Sequence, residues 1–315
     1  MEMRKLGSLE ISVVGIGCNN FGMRIDADAT KAVVDAALEH GINFFDTADV
    51  YGGRGKSEEF LGAAIGPRRD EVVIATKFAA PMSDDEADRG GKPDYVKRAV
   101  EASLKRLGTD RIDLYQMHGP DPSTPIEDTL SALNELVEAG KVLEIGNSNF
   151  NGGQIDEAQK VSGSKGWARF VSAQNNYSLL ERRMEPDVTD ACDRNGLTIL
   201  PYFPLASGLL TGKYKRGEDL PEGTRLAAMA QAMPDRIERA LSDENFDKVE
   251  KLQAFASERG HTLLELAFSW LSSQERIASV IAGATKPEQV ASNVSAVSWT
   301  LTPDEMAEVD TITKR

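Results

Sequence analysis

An acid, a phenol, an amine and an imidazole fall at or just past the ends of three successive short apolar runs. Asp46 and Tyr51 follow the first, Lys77 comes directly after Val72-Val73-Ile74-Ala75-Thr76, and His118 lies just past a run over residues 112–116. A lysine at the end of such a run is partly desolvated, and a neighbouring carboxylate such as Asp46 keeps it charged. That cation in turn lowers the pKa of a nearby phenol from its ordinary value of about 10, toward a general acid that works near neutral pH. Taken singly, each residue has a plainer explanation. Asp46 caps a turn, Tyr51 packs a loop, Lys77 snorkels to solvent and His118 is a hydrogen-bonded core histidine. Taken together, they are the parts of a proton-donating site.

Eight apolar runs position these residues: 13–17, 42–45, 72–76, 112–116, 142–146, 170–174, 197–201 and 279–283. They alternate with segments of helical period, the pattern of βα units on a parallel sheet, and eight is the number that closes a barrel. The 315 residues suit one (β/α)8 TIM barrel of about 250 residues plus insertions. No composition break or linker divides the chain, so a single domain over 1–315 is expected. Val96, Ala99, Val100, Ser103, Leu104 and Leu107 share a helix face that stops at Gly108, and Ile126, Leu130, Leu133 and Val137 repeat it before Gly140. Asp28 before Ala32, Val33, Ala36 and Ala37, with Gly41 at the end, marks a third helix. Residues 4–6 and 9–12 flank Gly7-Ser8 as a hairpin that caps one barrel end. Two long βα loops, 78–93 and 207 to about 244, have the length of functional lids. In a barrel, Asp46, Lys77, His118, Ser148, Asn149, Gln174, Asn175 and Tyr202 all reach the C-terminal rim, where this architecture does its chemistry.

The 36 Lys+Arg and 50 Asp+Glu give a net charge of −14, which sets the surface against polyanions, so no nucleic acid partner is expected. A small phosphorylated ligand is compatible, because local amides and cations prevail where salt screens the global field beyond roughly 10 Å. Only Cys18 and Cys192 occur, which fits a reducing compartment. With neither a signal-peptide core nor a membrane span in the sequence, a cytoplasmic location with no membrane partner is expected. Three histidines with no close His/Cys pair argue against a metal site, and the acidic run 84–88 lacks calcium-loop spacing. Gly52-Gly53-Arg54-Gly55-Lys56-Ser57 approaches a phosphate-binding P-loop, but its required first glycine falls on Val50. Gly15-Ile16-Gly17-Cys18-Asn19-Asn20 lacks the third glycine of the dinucleotide fingerprint.

The stretch Gly41-Ile42-Asn43-Phe44-Phe45-Asp46-Thr47-Ala48-Asp49-Val50-Tyr51-Gly52, followed by Ser57-Glu58 and Leu61-Gly62, resembles the signature of the aldo-keto reductase family. Ala75-Thr76-Lys77, Ile112-Asp113-Leu114-Tyr115-Gln116-Met117-His118, Ile145-Gly146-Asn147-Ser148-Asn149-Phe150 and Gln174-Asn175-Asn176-Tyr177 continue the likeness in family order. So do the segments from Pro204 to Lys213 and from Gly283 to Gln289, and the resemblance spans about residue 4 to about residue 300. It implies NADPH-dependent reduction of an aldehyde or ketone on a (β/α)8 barrel. Tyr51 would donate the proton, Lys77 and Asp46 would tune it, and His118 would orient or polarise the carbonyl. By the same resemblance Ser148, Asn149 and Gln174 hold the nicotinamide carboxamide and Tyr202 stacks on its ring. Pro204 and Leu205 would also bind the cofactor, Gly208, Leu210 and Lys213 would wrap its pyrophosphate, and Gly283, Thr285, Lys286, Gln289 and Asn293 would hold the adenosine half.

The sequence departs from some branches at Gly283 and Gln289, where they carry Lys and Arg, leaving Lys286 as the evident cation for a 2′-phosphate. NADP(H) is therefore the expected cofactor with NAD(H) open beside it. Asn147 and Phe203 depart from the family's usual residues as well. The partner is a small-molecule carbonyl substrate in a pocket expected from Phe21, Tyr51 and the two long loops, whose composition defines neither the ligand nor an oligomeric state. Two alternatives stand: an NADPH-binding regulatory subunit with little turnover, since channel-associated proteins share this resemblance, and a Schiff-base lyase using Lys77.

Overall fold

The computed structural model describes residues 1–230 and 233–314, so Gln231 and Ala232 of the second long loop, and Arg315, lie outside the described residues. Strands β1 (Met3–Leu6) and β2 (Leu9–Ser12) form the expected antiparallel hairpin around Gly7 and Ser8. The eight expected runs become β3 (Val14–Gly17), β4 (Phe44–Asp46), β5 (Val73–Phe78), β6 (Ile112–Met117), β7 (Val142–Ser148), β8 (Phe170–Gln174), β9 (Thr198–Ile199) and β10 (Val280–Ala282). They lie in the order β10-β3-β4-β5-β6-β7-β8-β9, every neighbouring pair parallel. The two edges meet: Ile199 N donates to Arg276 O at 2.7 Å, Ala278 N to Ile199 O at 3.1 Å and Ile281 N to Pro201 O at 3.3 Å. These bonds close the sheet into the (β/α)8 barrel. The run expected over 197–201 shortens to a strand of Thr198–Ile199, and Pro201 at its end has no amide to donate.

Strand alternation separates two cores. Phe44, Ala75, Leu114, Leu200, Ala278 and Ile281 fill the barrel interior together with Leu6 and Ile11 of the hairpin, which thereby plugs one end. Ser8 N donates to Glu144 Oε1 at 2.7 Å and fixes that plug to β7. The other face of the strands packs on the helices, as where Pro93–Leu107 buries Val96, Val100, Leu104 and Leu107 before ending at Gly108 in the left-handed conformation. The first long helix differs from expectation at its start. Asp26, in extended backbone, accepts from Ala29 N at 3.0 Å and caps Ala27–Glu39, while Asp28 lies inside the first turn.

Candidate active site

One layer above the apolar barrel interior, the same inward-facing rows turn polar. Two residues on from Phe44, Ala75 and Leu114 stand Asp46, Lys77 and Gln116, and Gln174 ends β8 on the same face. Strand register sets their neighbours: Lys77 pairs with Gln116 across β5 and β6, and Ser148 with Gln174 across β7 and β8. Lys77 Nζ donates to Asp46 Oδ2 at 2.6 Å and to Thr47 O at 2.8 Å. Asp46 Oδ1 accepts from Gln116 Nε2 at 3.0 Å and from Gln174 Nε2 at 2.8 Å. Lys77 is 0% exposed, a deeper burial than the partial desolvation expected. Burial pulls its pKa down, but the Asp46 carboxylate and Tyr51 outweigh that and hold it above the usual lysine value. Gln116 escaped the sequence reading. Its signal was a second glutamine in the inward row of a strand, where an apolar residue would otherwise stand.

Tyr51 is delivered by a turn rather than by a strand. Thr47 N donates to Ala75 O at 2.8 Å and Asp49 N to Lys77 O at 3.1 Å, lacing the turn to β5, and Gly52 to Gly55 all have positive φ. At Gly52 a Cβ would come within 2.7 Å of both Phe21 O and Ser57 N, so only glycine fits there. Ser57 Oγ bonds Cys18 O and Thr47 Oγ1, each at 2.8 Å, which gives that part of the motif a structural task. The Lys77 ammonium lies 5.0 Å from the Tyr51 ring centroid, and the Tyr51 and His118 rings meet edge to face at 5.6 Å. Burial pushes the Tyr51 phenol up, and Lys77 only partly offsets this, so the net shift is upward. This corrects the expectation of a lowered value: desolvation of the phenolate outweighs the nearby cation. Burial, reinforced by the Lys77 charge, pushes the His118 imidazole down to about 3. His118 Nδ1 is buried without a hydrogen-bond partner among the described residues, so the simple core-histidine explanation fails.

A cavity of about 710 Å³ opens in front of these groups and runs to the far side of the barrel mouth. It is lined by Asp46, Tyr51 and His118, then Ser148, Asn149, Gln174, Tyr202, Pro204 and Leu205, then Gly208 and Lys213, then Gly283, Thr285, Lys286, Gln289 and Asn293. Two of the expected residues are not on its wall. Lys77 lies behind Tyr51, and the Leu210 side chain is buried in the core while its amide donates to Leu205 O at 3.3 Å. Neither Phe21 nor any residue of 78–93 lines it. Phe21 is 0% exposed, and the 78–93 loop is tied outward, with Gly91 N donating to Asp121 Oδ2 and Thr129 Oγ1 to Gly91 O, both at 2.8 Å. Asn19, Asn20 and Arg24 line the cavity instead, and no spacing in the sequence marked them, while the second long loop lines it as expected, through Ser207, Thr211, Glu222 and Arg225 among others.

The wall is itself held in place. Tyr202 Oη donates to Asn149 Oδ1 at 2.9 Å, Asn149 Nδ2 donates to His118 O at 2.9 Å, and Ser148 Oγ donates to Gln174 O at 2.8 Å. Gln289 Oε1 accepts from Thr285 N at 2.7 Å at the start of Pro287–Ser295. Partial burial and the charge of Arg24 pull the Lys213 pKa down. Arg24 and Lys213 thus face one cleft with no carboxylate in ion-pair contact among the described residues, an arrangement an anionic ligand would relieve. Among the described residues no cluster of three or more His, Cys, Asp or Glu could hold a metal ion, and no helix is long and apolar enough to cross a membrane.

Residues 13–314 match the model of the aldo/keto reductase family. The chain belongs to the aldo/keto reductase family. The chain is 36% identical over 313 residues to an uncharacterized oxidoreductase, YrpG, of Bacillus subtilis (strain 168), covering 96% of this chain and 92% of that one. It is 34% identical to a probable voltage-gated potassium channel subunit beta of Arabidopsis thaliana, over 94% of this chain and 91% of the relative. It is 31% identical to the L-glyceraldehyde 3-phosphate reductase of Escherichia coli O157:H7, over 98% and 92%. The chain therefore has proteins named as oxidoreductases among its relatives over nearly its whole length.

Proposed function

We propose that this aldo/keto reductase reduces an aldehyde or ketone to an alcohol with NADPH. The observation that carries the reading is the buried Lys77–Asp46 ion pair directly behind Tyr51, with His118 beside it on the wall of one long cavity. Ser148, Asn149, Gln174 and Tyr202 would hold a reduced nicotinamide at the Tyr51 end, where it would supply a hydride for the carbonyl carbon. Negative charge then grows on the carbonyl oxygen, and the residues here are arranged to meet it. Tyr51 keeps its proton through neutral pH, because burial holds its pKa up, and gives that proton to the oxygen. Lys77 stabilises the phenolate left behind, Asp46 keeps Lys77 charged, and Gln116 and Gln174 fix Asp46. His118 is neutral at any physiological pH, so it serves as a hydrogen-bond donor to the carbonyl without adding charge.

The rest of the cavity suits a long anionic cofactor. Lys213, Arg24 and Gly208 would hold a pyrophosphate, and Ser148, Asn149 and Tyr202 would frame the nicotinamide. Pro204 and Leu205 line the wall between these groups. At the opposite end Lys286 offers a cation to a 2′-phosphate, with Gly283, Thr285, Gln289 and Asn293 around it. The Lys286 cation on the cavity wall favours NADPH over NADH. A Schiff base on Lys77 has no support: the amine is buried, ion-paired and raised in pKa, whereas such chemistry needs a neutral, accessible amine.

The likeness to channel beta subunits carries a second reading, an NADPH-binding regulatory subunit with little turnover. Fluorescence titration with NADPH and NADH, followed by turnover on nitrobenzaldehyde, separates the two. Tight NADPH binding, with turnover that falls by about 100-fold or more in Tyr51→Phe, is the expected result. Binding without turnover on a broad carbonyl panel would favour the regulatory subunit, and full activity in Tyr51→Phe would end the reductase reading.

A further inference from the structure

On the helix side of β5, behind the turn that carries Tyr51, lies a second group of buried ionisable side chains that the reduction does not use. Asp49 is 1% exposed and Glu58 0%. Glu58 accepts from Thr76 Oγ1 at 2.5 Å and from Arg106 Nε at 2.6 Å. Tyr95 Oη donates to Asp49 Oδ2 at 3.3 Å, while Asp49 Oδ1 and the Tyr115 hydroxyl are buried without partners among the described residues. One arginine thus serves two dry carboxylates. The charged groups farther out, Asp88 and Arg98, reach this cluster through Tyr95, and Asp46 and Lys77 belong to the barrel-interior face of their strands.

A carboxylate with an unpaired oxygen, placed beside a second carboxylate away from water, is a costly arrangement that a single proton removes. Burial first, and the Glu58 charge second, push the Asp49 carboxyl up to about 7, against the pull of Arg106. The backbone of the same residue is part of the catalytic frame. Asp49 N is bonded to Lys77 O at 3.1 Å, and two residues later Tyr51 N donates to Ala48 O at 3.2 Å.

We propose that Asp49 is a positioning residue which itself holds a proton at neutral pH, behind the Glu58–Arg106 ion pair, and that this proton holds the 47–51 turn in the form that presents Tyr51 to the cavity. Its effect on turnover rests on the reading of Tyr51 as the proton donor; its effect on the turn does not. The sign follows from linkage. The folded chain binds a proton at Asp49 that the unfolded chain has released above its ordinary value of about 4. Stability therefore falls as pH rises from about 4 through about 7, and the deficit is complete above that.

Hydrogen–deuterium exchange over residues 47–51, corrected for intrinsic rates and followed from about pH 6 to about pH 8, tests this. The native protein is expected to lose protection there by about tenfold through neutrality, whereas Asp49→Asn stays protected throughout. Glu58→Gln, which removes the like charge, moves the midpoint to lower pH, and Tyr95→Phe, which removes the donor to the ionised form, moves it to higher pH. Protection independent of pH in the native protein, or the same fall in Asp49→Asn, overturns the proposal. Should Asp49→Asn fail to fold, an unmoved midpoint in Tyr95→Phe does so instead. The turnover rate of the native protein should fall through the same midpoint. A protein that shows the exchange behaviour but reduces no carbonyl would refute the reductase reading alone and leave the proposal standing.

Discussion

The two ends of the cavity are built in opposite ways. At the Tyr51 end the working groups stand on strand ends or on a turn laced to a strand, and Asp46, Lys77, Gln116 and Gln174 form one buried layer joined by side-chain hydrogen bonds inside the barrel. At the far end Arg24, Lys213 and Lys286 are exposed side chains on connecting segments, and Arg24 donates across the cleft to Gly223 O at 2.9 Å. Proton transfer requires atoms held to within fractions of an ångström, which a barrel interior supplies before any ligand arrives. Gripping a long dinucleotide requires entry and exit, so cations on loops that can move serve it better. Substitutions at the first end should therefore damage stability and chemistry together, and those at the second should change affinity alone.

The largest effect is expected at Lys77. Lys77→Met leaves the Asp46 carboxylate buried without its cation, and denaturant unfolding at neutral pH should show a loss of about 3 to 5 kcal/mol along with turnover. An unchanged unfolding midpoint would mean that the strand-end layer is less closed than its geometry indicates. At the other end, Lys213→Ala should weaken NADPH binding by about tenfold, measured by fluorescence titration, with unfolding unaltered. Raising the salt concentration should narrow that difference, since the side chain is exposed. The smallest change is expected from Lys286→Ala. Comparing dissociation constants should show the preference for NADPH over NADH reduced by about fivefold, with NADH affinity nearly constant. Equal losses for both nucleotides would place Lys286 away from the 2′-phosphate.

The pH profile sharpens the same contrast. His118, with its imidazole held down at about 3, stays neutral across the working range, so no loss of turnover near pH 6.5 should trace to it. Its linkage is a cost at low pH. The unfolded chain takes up a proton near 6.5 that the folded chain refuses until about 3, so stability falls as pH drops between them, and His118→Asn should flatten that slope in thermal melts.

How much of this was legible in the sequence differs from one residue to the next. The strand-end positions of Asp46, Lys77, Ser148 and Gln174 were readable, because a period of two and a parallel register leave a polar residue at the end of an inward row only one place to go. Gln116 obeyed the same rule, ending the run 112–116 as Gln174 ends 170–174, but was passed over in favour of His118 two residues beyond it. Asp26 took the cap expected of Asp28, since the cap is decided by which residue leaves the helix in extended backbone and not by which is nearest the apolar stripe. The pocket wall was least legible. Phe21 and the 78–93 loop were drawn into the core and toward Asp121 and Thr129 by contacts between distant segments, and Asn19, Asn20 and Arg24 line the wall that they were expected to form.

By itself, the sequence determined that eight parallel strands form a barrel, that its polar groups gather at one rim, and that an acid, a phenol, an amine and an imidazole meet there. These follow from local alternation and chain order. Only the tertiary structure decided the protonation states and the wall. Whether Tyr51 is pushed up or down, whether His118 is charged, and whether Asp49 holds a proton depend on how completely each is shut off from water and which charges the fold brings beside it. Those quantities are sums over neighbours from many parts of the chain, and no spacing along the chain encodes them.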